Sequence, residues 1–103
     1  MKVVVKLGKF LFPLKLQTEK LKEYVKTFKE LVGEGKRILI VTGGGEIARE
    51  YIRVARESGL DEATCDQLGI EVSRINAYLL LSMFKNLAYP EVPINLKELK
   101  RFF

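Results

Sequence analysis

The sequence has no histidine and no tryptophan, a single cysteine, three prolines and, among its 103 residues, only Asp61 and Asp66 as aspartates. Without histidine there is no imidazole general base, no Ser-His-Asp triad and no His-ligated metal, and the lone Cys65 excludes an internal disulfide or a thiolate zinc site. Any acid-base work falls to Lys, Asp or Glu. No apolar run approaches the ~20 residues that span a bilayer, and Met1 to Leu7 has no signal-peptide layout. The expectation is a soluble cytoplasmic protein with no membrane partner.

What is present is globular in character, with 48% hydrophobic and 30% charged residues and room for one domain, 1–103. Surface scaling predicts roughly 17,000 Å² for the unfolded chain and roughly 5,900 Å² for a folded monomer, a burial of about 65%. The excess of 18 Lys+Arg over 13 Asp+Glu leaves +5, spread along the chain. Such a spread favours a small anionic ligand over nucleic acid. Few Asn and Gln among many Lys and Glu is the bias of thermophile proteins.

Val3 to Leu7 is a short β-branched run closed by Gly8 and predicts a buried strand. Thr18 is placed to cap a helix in which Leu21, Tyr24, Val25, Phe28, Leu31 and Val32 follow the i, i+3, i+4, i+7 pattern, ended by Gly33 and Gly35. Arg37 to Thr42 is a second strand, apolar enough for cover on both faces. Strand, helix and strand in this order predict a right-handed βαβ unit with both strands parallel in one sheet. Gly43-Gly44-Gly45 then opens a helix from Glu46 to about Glu57, with Ser58-Gly59 as its C-cap.

Asp61 caps a longer helix reaching about Lys85. At 100° per residue it carries two apolar stripes, Cys65, Leu68, Val72, Ile75, Leu79 and Met83 on one side and Ala63, Ile70, Ala77, Leu81 and Phe84 roughly opposite. One stripe suffices for the home core. The second predicts a homo-oligomer through helix 61–85, with Gly69 permitting close approach, or else a central helix buried all round. At the end of the chain, Asn95 with Glu98 resembles a capping box opening a short helix that stops at Phe102-Phe103.

Three glycines after a parallel strand allow close backbone approach, and the next helix offers free N–H groups and a positive dipole end, which suits a phosphate; a generic tight turn is the other reading. Arg49 lies one turn further on, where its fork reaches back toward such a phosphate, whereas Arg53 and Arg56 read as solvated surface. Lys6 and Lys9 flank Gly8 at the end of the first strand, where open α/β sheets bind ligands. A lysine there either neutralises a second phosphate or is an ordinary strand-end cation. Asp66 either accepts from sugar hydroxyls or favours the helix dipole.

Two segments, Ile38 to Ile52 (ILIVTGGGEIAREYI) and Asp66 to Leu80 (DQLGIEVSRINAYLL), together with the first strand and Ala88-Tyr89-Pro90, resemble the N-terminal half of archaeal UMP kinases of the amino acid kinase family. The resemblance implies an α/β fold, a partial three-layer αβα sandwich with a short parallel sheet and long helices. It implies a UMP site at Gly43, Gly44, Gly45, Arg49 and Asp66, with Arg49 on the phosphate and Asp66 on the ribose. It also implies a loop for the phosphates of ATP at Lys6, Gly8 and Lys9, with Lys6 as the catalytic candidate, and no side-chain metal site. The longer helix matches the one that packs two subunits together. ATP and Mg²⁺ are implied only for a complete kinase. Members typically read Gly-Gly-Ser, or a shortened Gly-Lys form, after the strand, where this chain reads Gly8-Lys9-Phe10. Such kinases are also much longer, and their other half supplies the adenine pocket and the remaining ATP contacts. The implied function is therefore the UMP-binding half of a kinase that converts ATP and UMP to ADP and UDP, inactive alone because phosphoryl transfer needs donor, acceptor and metal aligned. The alternative is a structural or oligomerisation module without catalysis.

Overall fold

The alternation in β1 (Lys2–Leu7) buries Leu7, half-buries Val3 and Val5 and leaves Lys2, Val4 and Lys6 exposed. The protein is described by a computed structural model covering residues 2–88, Val92 and residues 95–102, without the side chains of Asn86, Arg101 and Phe102. After β1 come α1 (Thr18–Gly33), β2 (Arg37–Thr42), α2 (Gly45–Glu57), α3 (Glu62–Phe84), a 3-10 turn (Lys85–Leu87) and α4 (Leu96–Phe102). The strands pair parallel from Lys2 against Arg37 to Leu7 against Thr42, as the βαβ pattern predicts.

Leu21, Val25 and Phe28 are the buried line of α1. Its N-cap is Gln17 rather than Thr18, because the Gln17 backbone is extended and its carbonyl already accepts the Leu21 N–H at 3.1 Å. These residues pack with Leu7, Leu11, Phe12, Leu80 and Phe84 into one core in which Phe12 is wholly buried. The Phe28 and Phe84 rings meet at 6.2 Å between centroids, within the range of favourable aromatic pairs.

The buried residues of α3 are Cys65, Val72, Asn76, Leu80 and Phe84. From Val72 onward the spacing is four, so each step turns about 40° further round the helix. The home face thus precesses from the first predicted stripe to the second. Phe84 of the second stripe lies in the home core, while Ile75 of the first and Ile70 of the second are exposed. Gly69 does permit a close approach, but by Ile52 of this chain's own α2, whose Cδ1 would lie 3.5 Å from a Cβ at that position.

Helices α1 and α3 both pack on β2 and on each other, so they form one layer on one side of the sheet. Among the described residues the other side is open, with Val4 62% and Val41 43% exposed, and β2 is covered by them on one face rather than two. This is an α/β partial sandwich. The accessible surface is 7445 Å², well above the scaling expectation of roughly 5,900 Å², and burial falls to about 56%. Asn95 opens α4, its Oδ1 accepting the Glu98 N–H at 2.8 Å. Tyr89, Pro90 and Phe103, noted in the sequence, lie outside the described residues, as does the side chain of Phe102.

Candidate functional site

The register that sets Leu7 beside Thr42 makes the loops after β1 and β2 leave from one edge of the sheet. They are bonded to each other. The Gly43 N–H donates to the Leu7 carbonyl at 3.1 Å. Beyond β1, Leu11 and Phe12 donate to the carbonyls of Gly8 and Lys9, both at 3.1 Å, forming a turn that buries both side chains and presents the Phe12 carbonyl to the Glu46 N–H at 3.0 Å.

This packing explains two of the three glycines. Gly45 has φ +67°, and a Cβ there would lie 2.6 Å from the Phe12 Cβ and closer still to the Phe12 carbonyl oxygen. A Cβ on Gly44 would collide with Ala48 Cβ. At Gly43 an added Cβ meets nothing within 4 Å. Gly44 and Gly45 are therefore required by neighbours within the chain, whatever else they do, and the open side lies at Gly43.

Behind the loop stands α3. Asn76 Nδ2 donates to the Gly43 carbonyl at 2.9 Å, Thr42 Oγ1 donates to the Ser73 carbonyl at 2.9 Å, and Ser73 Oγ donates to the Gly69 carbonyl at 3.0 Å. Among the described residues no backbone acceptor is paired with the N–H of Gly44 or Gly45. Both lie at the start of a 13-residue helix, where amide dipoles favour an anion.

Arg49 is exposed and, among the described residues, joins no ion pair. Its two neighbours along α2 are engaged. Arg53 bridges Glu50 and Glu57, and the hydrogen bond to Glu50 raises the Arg53 pKa while lowering that of Glu50. Arg56 pairs with Glu62 at 3.2 Å, which likewise raises its pKa. Both are exposed surface pairs, worth little for stability.

Lys6, Gly8 and Lys9 are exposed at the same sheet edge as the triple glycine, with Lys6 on the open face, in register with Val41. A Cβ on Gly8 would meet nothing within 4 Å. Asp66 is exposed on α3, one helical turn before Gly69, whose carbonyl lies 3.6 Å from where a Gly44 Cβ would be. Among the described residues no hydrogen bond or ion pair links Asp66 to Arg49 or to the glycine loop, and its charge bears instead on Arg56. Among those residues no group of three His, Cys, Asp or Glu side chains is placed to hold a metal ion.

A groove of 390 Å³ lies elsewhere, between β2, α1 and α3, lined by Phe28, Val32, Ile38, Ile40, Leu80 and Phe84 among others. Its walls are mainly aliphatic and aromatic, with Lys36 and Arg37 near one end of β2 and Thr42 at the other. The glycine loop lies apart from this groove, at the start of α2.

Asn76 is the residue that sequence reasoning missed. It is 4% exposed and the only buried polar side chain among the described residues. A signal existed, since an Asn flanked by Ile75, Ala77, Tyr78, Leu79 and Leu80 sits badly in a helix interior unless its amide has a partner.

A parallel βαβ unit whose strand-end loops carry glycines and cations defines an α/β protein. A model described as the amino acid kinase family matches residues 1–101, and the chain belongs to that family. It is 48% identical over 98 residues to a uridylate kinase from Methanobrevibacter smithii, a match covering 95% of this chain and 43% of that protein. It is 45% identical over 102 residues to a uridylate kinase from Sulfurisphaera tokodaii, with the same coverage. The crystal structure of a uridylate kinase from Archaeoglobus fulgidus superposes with a TM-score of 0.85 at 42% identity, covering 98% of this chain and 45% of that one. The chain thus spans less than half the length of these relatives. No helix among the described residues is long and apolar enough to cross a membrane.

Proposed function

We propose that residues 1–103 are a uridylate-kinase-like nucleotide-acceptor half that binds UMP or a similar nucleoside monophosphate and that these residues do not transfer phosphate unaided. The phosphate sits at the amides of Gly44 and Gly45 and the guanidinium of Arg49, and Asp66 accepts from the ribose. Lys6, Gly8 and Lys9 face the phosphates of ATP, Lys6 being the catalytic candidate once a complementary half supplies the rest of the ATP site.

The single observation that carries this reading is the unpaired cation beside unpaired amides. Among the described residues Arg49 alone of the three α2 arginines lacks a carboxylate partner, and it lies one turn beyond two N–H groups that have no acceptor among those residues. Isothermal titration of UMP into the chain tests it: saturable binding is expected, and no heat at millimolar UMP would overturn it. In a coupled assay of ADP release, turnover by the chain alone would overturn the claim of inactivity.

A second reading has its own support. Ile70, Ile75 and Tyr78 of α3 are 52%, 66% and 61% exposed, more apolar surface on one helix than a monomer usually leaves in water. Helix 61–85 is on this reading the contact of a homo-oligomer. A strictly monomeric species in sedimentation at micromolar concentration would count against it.

A further inference from the structure

Gly43 lies between β2 and α2, and its N–H and its carbonyl, which belong to successive peptide groups, are held by different parts of the chain. Its N–H donates to the Leu7 carbonyl at 3.1 Å, and its carbonyl accepts from Asn76 Nδ2 at 2.9 Å. In a planar trans peptide the carbonyl and the following N–H point in opposite directions. A Gly43 carbonyl turned back onto α3 therefore turns the Gly44 N–H away from α3, toward the outer side of the loop. Gly43, with open space where a side chain would stand, has no local steric reason to keep that orientation.

From this geometry we infer that Asn76 is a positioning residue: by holding the Gly43 carbonyl it aims the Gly44 N–H at the phosphate of the bound nucleotide. The inference rests on the nucleotide-binding reading above and adds to it a residue that touches no ligand. The neighbouring bond from Thr42 Oγ1 to the Ser73 carbonyl fastens the same two elements without involving the Gly43 peptide. It supplies a matched control. Asn76 is also the costlier of the two to leave unsatisfied, being 4% exposed.

The test is UMP titration followed by isothermal calorimetry and by the backbone amide signals of the labelled chain. Asn76→Ala is expected to weaken UMP about tenfold or more, the value of one well-aimed hydrogen bond to a charged group. In that variant the Gly44 amide no longer shifts on titration. Thr42→Val is expected to lower the melting temperature by less and to leave UMP affinity within about twofold. Equal affinity in Asn76→Ala and the parent, or an equal loss in Thr42→Val, overturns the role of Asn76 while leaving nucleotide binding standing. A parent chain that binds no UMP overturns the nucleotide reading itself, and this inference with it. Should Asn76→Ala fail to fold, the parent decides: UMP must shift the Gly44 amide and leave the Asn76 side-chain amide slow to exchange. A Gly44 amide that stays still while Arg49 responds refutes the assignment.

Discussion

The Phe12 carbonyl accepts the Glu46 N–H at 3.0 Å, and the same carbonyl oxygen stands where a Cβ on Gly45 would be. The turn after β1 and the first turn of α2 are therefore one packed unit, with the wholly buried Phe12 as its wedge. Gly45→Ala must put a side chain at φ +67° and displace Phe12, and is expected to cost about 2 kcal/mol or more. Gly8→Ala, where an added Cβ meets nothing, is expected to be close to neutral. Urea denaturation of the two variants side by side checks the contrast.

Arg49 and Arg53 lie one turn apart on α2 and should respond oppositely. Arg49→Ala removes a cation with no carboxylate partner among the described residues, so stability should hold while UMP affinity drops about tenfold or more. Arg53→Ala breaks the pairs to Glu50 and Glu57 and should leave UMP affinity unchanged. Calorimetric titration and thermal melts of both variants separate ligand contact from surface pairing.

Asp61 shows how α3 depends on pH. The Thr64 side chain, together with the Thr64 N–H that bonds Asp61 Oδ1 at 2.7 Å, holds the carboxyl below its ordinary value of 3.8. A depressed carboxylate contributes stability that is fully present above the ordinary value and is lost as the pH falls through the depressed one. Asp61→Asn keeps the cap acceptor and removes the titration. The parent is expected to melt above this variant at neutral pH and to lose that advantage below pH 3.8. Thermal melts from pH 7 downward measure the difference.

Cys65 is 1% exposed, and burial pushes its thiol pKa up. Thiolate is the reactive form, so an aromatic disulfide reagent at neutral pH should label the folded chain slowly and the urea-unfolded chain at once. Equal rates would show that the start of α3 is not packed as described.

The elements were legible in the sequence because their signals are local. The β-branched run before Gly8, the 3.6-period line of Leu21, Val25 and Phe28, and the Asp61 cap are each written within a few residues, and the observed boundaries differ little. The direction in which α3 faces was not legible. Its two stripes looked equivalent, and only the packing of Leu80 and Phe84 against α1 shows that the buried line winds between them. The glycines were legible as a loop, but not the reason for Gly45, since Phe12 lies in an irregular stretch with no period to follow. Asn76 went unread because its partner is 33 residues away, and a bond between a helix interior and a loop carbonyl leaves no mark in periodicity.

On the proposed reading, the edge where Gly43 meets Leu7 holds a nucleoside monophosphate. Titrating UMP into the isotopically labelled chain and following its amide signals tests this most directly. Saturable shifts are expected at Gly44, Gly45 and Arg49, with half-saturation at millimolar UMP or below. Amides at those positions that remain unmoved up to about 10 mM UMP, a limit beyond which the binding free energy is under about 3 kcal/mol, would contradict it.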